Sequence, residues 1–166
     1  MRKRFFAKRF IKDTGGVTAV EFALIATPFF VLLTAILEVT MIIFSNLVLE
    51  NGVIEASRQI RTGEFQQSGG GAQEFRDLLC SEISVLLGCG EELRIDVQTF
   101  SNFGSVQNAD TGNDPLFNAG AGSSVVLVEA SYTHEIITPI IGGFLANQGD
   151  NERVITWAAA FENEPF

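Results

Sequence analysis

The sequence predicts an α+β protein in which a long N-terminal transmembrane helix continues into a small exported domain with a second helix and about three antiparallel strands. A nearly unbroken apolar run covers 17–44, apolar residues at helical spacing follow it, and alternating segments occur from 93 onward. We therefore expect a basic cytoplasmic leader at 1–16, a transmembrane helix at 17–44 and an exported domain at 45–166.

The apolar run at 17–44 is interrupted only by Glu21, Pro28, Glu38 and a few threonines. As a helix it would span roughly 42 Å, more than the ~30 Å hydrocarbon core of a bilayer. A cleaved secretory signal would have a shorter apolar core, followed by a small-residue cleavage site in a polar setting. The length of the run favours a transmembrane helix instead.

Charge is distributed unevenly along the chain. The protein has 11 Lys and Arg against 20 Asp and Glu, a net charge of -9, yet six of the basic residues lie in the first 16. The positive-inside rule therefore predicts a cytoplasmic N-terminus and an exported body. That body would repel phosphate backbones, so we expect no nucleic-acid partner.

The residues that follow the basic leader, 15–22, read GGVTAVEF. They resemble the processing site of type IV prepilins, in which the leader ends in Gly and a Glu lies five residues into the mature helix. Cleavage between Gly16 and Val17 would place Glu21 at the fifth mature position, whereas cleavage after Gly15 would place it at the sixth. The spacing therefore favours cleavage after Gly16.

The longer segment GGVTAVEFALIATPFFVLL is similar to the opening of TadE-like pseudopilins of the tight-adherence (Flp) pilus system. Arg58-x-x-Arg61-x-Gly63 and the closing residues NEPF at 163–166 also look like that family. The resemblance covers the first 63 residues and the last few, whereas the middle matches only in architecture.

This resemblance implies a pseudopilin or pilus assembly subunit that is cleaved by a prepilin peptidase and supports biogenesis of an adhesive pilus. The expected partners are that peptidase, other pilus subunits, inner-membrane assembly proteins and membrane lipid. The expected location is the bacterial inner membrane, with a single pass, a cytoplasmic N-terminus and a periplasmic C-terminal domain. Whether the subunit enters the surface pilus stays open.

A carboxylate in an apolar helix is costly, about 2.5 kcal/mol or more at mid-bilayer, unless it is neutralised. Cleavage would create a cationic amino group on Val17, four positions from Glu21. The resemblance implies that Glu21 pairs with the amino terminus of a subunit and sets the register of packed helices. The alternative is a Glu at the cytoplasmic interface with no partner.

Two further residues interrupt the apolar run. Glu38 would lie roughly 26 Å beyond Glu21 and about 100° around the helix, so the two carboxylates do not share a face. Glu38 either marks the outer edge of the span or contacts the transmembrane helix of a partner. Pro28 removes the hydrogen bond to the carbonyl of Leu24 and predicts a kink.

Beyond the span we expect the helix to continue to about Glu64, and apolar spacing predicts a second helix from about Ala72 to Leu86. A short helix or turn is expected at 138–145. Alternation and β-branched residues predict the three strands at 93–98, 124–132 and 154–161.

Cys80 and Cys89 are the two cysteines of the chain. An exported domain lies in an oxidising compartment, so we predict a disulfide between them. A continuous helix would hold their Cα atoms about 13.5 Å apart, whereas a disulfide needs roughly 4.4–6.8 Å. The helix must therefore end near Leu86, and Gly88 must turn the chain back.

We expect no catalytic, cofactor-binding or metal site. Ser131, Tyr132, His134 and Glu135 come from one strand and do not converge as catalytic groups do. The loop at 108–114 has alternating acids but lacks the Gly and the distal Glu of a calcium loop. The alternative functions are an uncleaved, membrane-anchored periplasmic binding or scaffold module and, less favoured, an anchored hydrolase.

Overall fold

The computed structural model describes residues 16–110, 112, 114–149 and 151–166. The basic leader predicted at 1–16, except Gly16, lies outside the described residues. The chain divides after Glu38 into two compact units, which are described separately below.

The described residues form an α+β protein, which confirms the predicted fold class. The long helix α1 continues beyond the apolar run to Arg61, and the three strands are each longer than predicted. The elements in chain order are α1 Val17–Arg61, α2 Glu64–Gln67, α3 Ala72–Ile83, β1 Leu93–Phe100, a 3-10 helix Phe103–Asn108, β2 Val125–Glu135, α4 Pro139–Leu145 and β3 Glu152–Glu162.

The first unit contains α1 up to Glu38, and the helix is continuous through Pro28. Two of its threonines bond back to the helix: Thr27 Oγ1 donates to the carbonyl of Ala23 at 2.8 Å, and Thr34 Oγ1 donates to the carbonyl of Phe30 at 3.0 Å. Such back-bonding leaves no hydroxyl proton to be solvated, which suits a helix in hydrocarbon.

The second unit packs its part of α1 and the antiparallel α3 against one face of the sheet. Gly52 marks the closest approach of the two helices, because a Cβ at this position would lie 2.5 Å from Cγ2 of Ile83. Phe65, Phe75 and Phe117 form a cluster of edge-on and tilted rings between α2, α3 and the edge of β1. The core also includes the buried residues Leu49, Val53, Ala56, Ile60, Leu79, Ile83, Val97, Val126, Val128 and Ile155.

The sheet has the order β1-β2-β3, with both pairs antiparallel. The alternation of a strand sends Val97 and Val128 to the core and the paired Asp96 and Glu129 to the outer face. The free edge of β1 is covered by the loop that follows the 3-10 helix, since Val97 exchanges backbone hydrogen bonds with Leu116 and Asn118.

The structure joins Cys80 to Cys89, the pair that the sequence predicts, with their Cα atoms 5.9 Å apart. The helix that carries Cys80 ends at Ile83, three residues before the predicted Leu86. The earlier end has a physical reason, because the chain must reverse completely within six residues to return Cys89 to Cys80.

Arg76 holds the same loop from inside α3, which the sequence did not reveal. Its guanidinium donates to the carbonyls of Leu93, Cys89 and Gly90, at 3.0, 3.1 and 2.5 Å. The loop that leads into β1 is thus fixed by one covalent bond and three charge-assisted hydrogen bonds.

Candidate processing and assembly site

The predicted scissile bond lies where α1 begins. Val17 is the first residue of the helix, and both it and Gly16 are exposed. A Cβ at Gly16 would meet no atom within 4 Å, so no described part of the chain crowds this glycine. The bond between Gly16 and Val17 is therefore sterically open to a peptidase among the described residues.

Glu21 lies one helical turn beyond Val17, which places the two residues on the same side of α1. The residue is exposed, and none of the residues that the structure describes donates a hydrogen bond to its carboxylate. An acid in this position is available to a cation from outside the helix, including a new amino terminus.

A shallow apolar groove runs along α1 from the level of Glu21 to Pro28. The depression forms where side chains are small and at the proline ring. Thr27 lies on its wall and donates its hydroxyl hydrogen bond to the backbone. The groove is lined by Ala19, Val20, Ala23, Leu24, Thr27 and Pro28.

Large apolar side chains surround this part of α1, and they are exposed. Phe22, Leu24 and Ile25 are all more than 70 % exposed, unlike the residues of a soluble core helix. Among the described helices, α1 alone is long and apolar enough to cross a membrane. An exposed, apolar and continuous helix with an acid near its start is what the sequence predicted.

A glycine directly precedes α1, an acid follows it by five residues, and a proline follows the acid by seven, both within the apolar run. Residues 16–58 match the TadE-like protein family. The match confirms the resemblance over these residues. No curated protein and no solved structure matches the chain.

The TadE-like match includes Gly16, Glu21 and Pro28 and stops at Arg58. Arg61, Gly63 and the residues at 163–166 lie beyond the matched residues. The structure brings these separate residues together at the end of α1.

The segment 163–166, which we name the 163–166 clasp, closes over the end of α1. The backbone N–H of Glu164 donates to the carbonyl of Arg61 at 2.8 Å. The ring of Phe166 lies on Gly63, where a Cβ would come within 2.2 Å of the ring. Gly63 has φ 77°, so the position needs glycine both for its backbone conformation and for the contact.

Asn163 anchors the clasp in the core and is only 2 % exposed. Its side-chain amide donates to the carbonyls of Ala119 and Ala121, each at 3.0 Å. Its backbone exchanges two further hydrogen bonds with Ser123 and Ser124. Sequence reasoning noted these closing residues as family-like but could not show that they contact α1.

The two arginines at the end of α1 have different partners. Arg58 pairs with Glu55 on the same helix, with Nη2 2.5 Å from Oε1, and this hydrogen bond raises the pKa of Arg58. Arg61 lies 3.8 Å from the carboxylate of Glu164 in the clasp. Of the two arginines, Arg61 is thus the one that contacts an acid outside its own helix.

Glu38 is only 6 % exposed. Its two possible roles, an acid at the outer edge of the span and a contact with the transmembrane helix of a partner, stay predictions.

The groups of the hydrolase alternative are not brought together. Ser131 and His134 lie an odd number of positions apart on β2, so their side chains leave opposite faces of the sheet. The hydroxyl of Ser131 instead shares a hydrogen bond with Thr156 of β3, at 3.0 Å.

The loop considered for calcium lies partly outside the described residues, at Thr111 and Asn113. Its described part is tied to β1, because the side chain of Gln98 both donates to and accepts from the backbone of Asp110. Among the described residues, no group of three or more His, Cys, Asp or Glu could hold a metal ion.

The outer face of the sheet is acidic around one cation. Arg94 pairs with Asp96 at 2.8 Å, and this hydrogen bond raises the pKa of the guanidinium. Glu91, Glu92 and Glu129 line the same depression of about 350 Å³. Part of the negative charge predicted for the body thus lies on the outer face of the sheet.

Proposed function

We propose that this chain is a pseudopilin of a Tad (Flp) pilus system, processed by a prepilin peptidase after Gly16 and used in biogenesis of an adhesive pilus. It is anchored in the bacterial inner membrane by one helix, with its N-terminus cytoplasmic and its body periplasmic. The chain is the substrate of a cleavage reaction and performs no reaction of its own.

The observation that carries the proposal is the start of α1. An uncrowded Gly16–Val17 bond precedes an exposed apolar helix, and an exposed acid follows one turn later, within residues that match the TadE-like family. The peptidase would find its bond accessible, and the mature helix would present its acid to neighbouring subunits.

The expected partners follow from this arrangement. Besides the peptidase, they are other pilus subunits and inner-membrane assembly proteins, which would meet the exposed helix surface inside the bilayer. Packing of apolar helices in lipid gains little from the hydrophobic effect, so close contact at the small residues of the groove and polar pairing at Glu21 would provide specificity.

The mature N-terminus tests the proposal directly. We expect mass spectrometry of the protein from membranes of the native host, with the pilus system expressed, to find a product that begins at Val17. Gly16→Ala should leave the full-length precursor, because the added methyl group changes the residue at the scissile bond.

Gly15→Ala is the matched control. It alters the neighbouring glycine and the same leader, yet processing after Gly16 should persist because the spacing to Glu21 is unchanged. A wild-type N-terminus at Met1 under these conditions would remove the pseudopilin proposal and favour an uncleaved anchored module.

A further inference from the structure

The segment that joins β2 to β3 is uncharged and exposes apolar side chains. Residues 136–149, which include α4, contain no charged side chain. Two large apolar residues of this segment project into solvent, with Ile137 82 % and Phe144 89 % exposed. Uncovered apolar residues of this size in an uncharged segment fit a surface that contacts something apolar.

The exposure of Phe144 is fixed by hydrogen bonds at the residues that follow it. Arg153 donates to the carbonyl of Leu145 at 2.7 Å, while Leu145 itself packs against the core. The side chain of Asn147 then makes two hydrogen bonds with the backbone of Val154, at 2.9 and 2.7 Å. The segment therefore holds Leu145 inward and Phe144 outward.

The position of this segment follows from the course of β3. The end of β3 at Glu162 leads into the clasp, which is bound to Arg61 at the end of α1. The other end of β3, where the 136–149 segment lies, is about 33 Å away along the strand. Helix α1 rises by a similar ~33 Å between 39 and 61.

Strand and helix belong to one core, since Ile155, Leu49 and Ile42 are in the same buried cluster. The segment thus lies at the end of the body where α1 enters it. Around that entry the helix also exposes apolar residues, among them Met41, Ile43 and Phe44.

We infer that the 136–149 segment is a second membrane contact, with Ile137 and Phe144 inserted among the lipids of the bilayer that α1 crosses. The inference rests on the membrane anchoring in the proposed function. The occupant is lipid, because the segment lies at the same end of the body as the exposed apolar residues Met41, Ile43 and Phe44, which belong to the predicted span. The contact is hydrophobic and does not depend on anionic headgroups, since the segment has no Lys or Arg. Glu135 and Glu152 flank it and limit its depth to the interface.

The test uses the full chain in phosphatidylcholine vesicles. Phe144→Cys provides one labelling site for an environment-sensitive fluorophore, because Cys80 and Cys89 are joined. Phe30→Cys places the same fluorophore within the predicted membrane span. Phe103→Cys is the matched control: this residue is 54 % exposed, and it follows β1 at the clasp end of the sheet.

We expect the label at position 144 to show blue-shifted emission and strong quenching by lipids with a spin label near the headgroup. The label at position 30 should show a blue shift and quenching by lipids labelled deeper in the chain. The label at position 103 should show neither. Membranes with and without phosphatidylglycerol should give the same result.

Three outcomes would overturn the inference. A label at 144 that behaves like the one at 103, while position 30 is in lipid, would show that the segment lies in water. A blue shift at 144 without lipid quenching would assign the surface to a protein contact, including a second copy of the chain. Absence of quenching at position 30 as well would refute the membrane anchoring on which both proposals depend.

Discussion

The carboxylate of Glu21 projects from α1 one turn beyond Val17, exposed on an otherwise apolar surface. In lipid such a group is stable only near a cation or at the interface. A processed subunit offers a cation at its amino terminus, and an uncleaved anchor does not. The residue therefore separates the two proposed types of protein.

We predict that Glu21→Leu impairs assembly without impairing insertion. The substitution makes the span more apolar, so the amount of protein in the membrane should stay equal or rise. Cleavage after Gly16 should persist in part. Crosslinking to other pilus subunits and pilus yield should fall, because an amino terminus would lose the acid that pairs with it.

Phe22→Leu is the control for this prediction, since it changes the adjacent exposed residue and leaves the charge. If Glu21→Leu cells made normal pili with normal partner crosslinks, Glu21 would have no register role.

At the scale of elements, the packing of α1 against α3 depends on the absence of a side chain at Gly52. The closest atoms to a Cβ at Gly52 belong to Ile83 and Leu79, both fully buried. The backbone of α1 can approach α3 this closely because glycine has no Cβ, although glycine lowers helix propensity.

We predict that Gly52→Ala lowers the free energy of unfolding of the detergent-solubilised chain. The gain in helix propensity is about 1 kcal/mol, whereas overpacking a fixed core typically costs about 1–3 kcal/mol. The net loss should be up to about 2 kcal/mol, measured by denaturant unfolding.

The matched control is Gly143→Ala in α4, where a Cβ would meet no atom within 4 Å. Here only the propensity gain applies, so stability should not fall. A Gly52→Ala protein as stable as this control would show that the two helices are not in close contact at Gly52.

The elements themselves were largely predictable, because α1, β1, β2 and β3 follow from local spacing of apolar residues. Periodicity could not locate the end of α3, which depends on where the disulfide returns the chain. It also could not find Arg76, whose three carbonyl partners lie 13 to 17 residues away. The start of the candidate site was predictable because Gly16 and Glu21 are neighbours in sequence, whereas the clasp joins residues about 100 positions apart.

At the scale of the whole molecule, the clasp connects the end of α1 with the end of β3. Asn163 is its buried anchor, and Glu164 is its exposed neighbour. Removing Asn163 would remove the side-chain amide that donates to the carbonyls of Ala119 and Ala121. Removing the carboxylate of Glu164 would leave the backbone bond to Arg61 intact.

We predict that Asn163→Ala lowers the free energy of unfolding by about 1–3 kcal/mol, because two side-chain hydrogen bonds are lost and each contributes about 0.5–1.5 kcal/mol. Glu164→Ala should change it by less than about 1 kcal/mol, because its ion pair with Arg61 is exposed. Thermal unfolding in detergent would measure both. Equal effects of the two substitutions would mean that the buried amide does not anchor the clasp.

The contact between Arg61 and Glu164 also fixes when the body can finish folding. A ribosome that has just made Arg61 must add about 100 residues before Glu164 exists, which takes roughly 5–20 s at ordinary rates of synthesis. During that time Gly63 and the last turn of α1 have nothing to cover them, and β3 is absent from the sheet. If the chain is exported as proposed, its body would still lack β3 and the clasp while the first helix is being inserted.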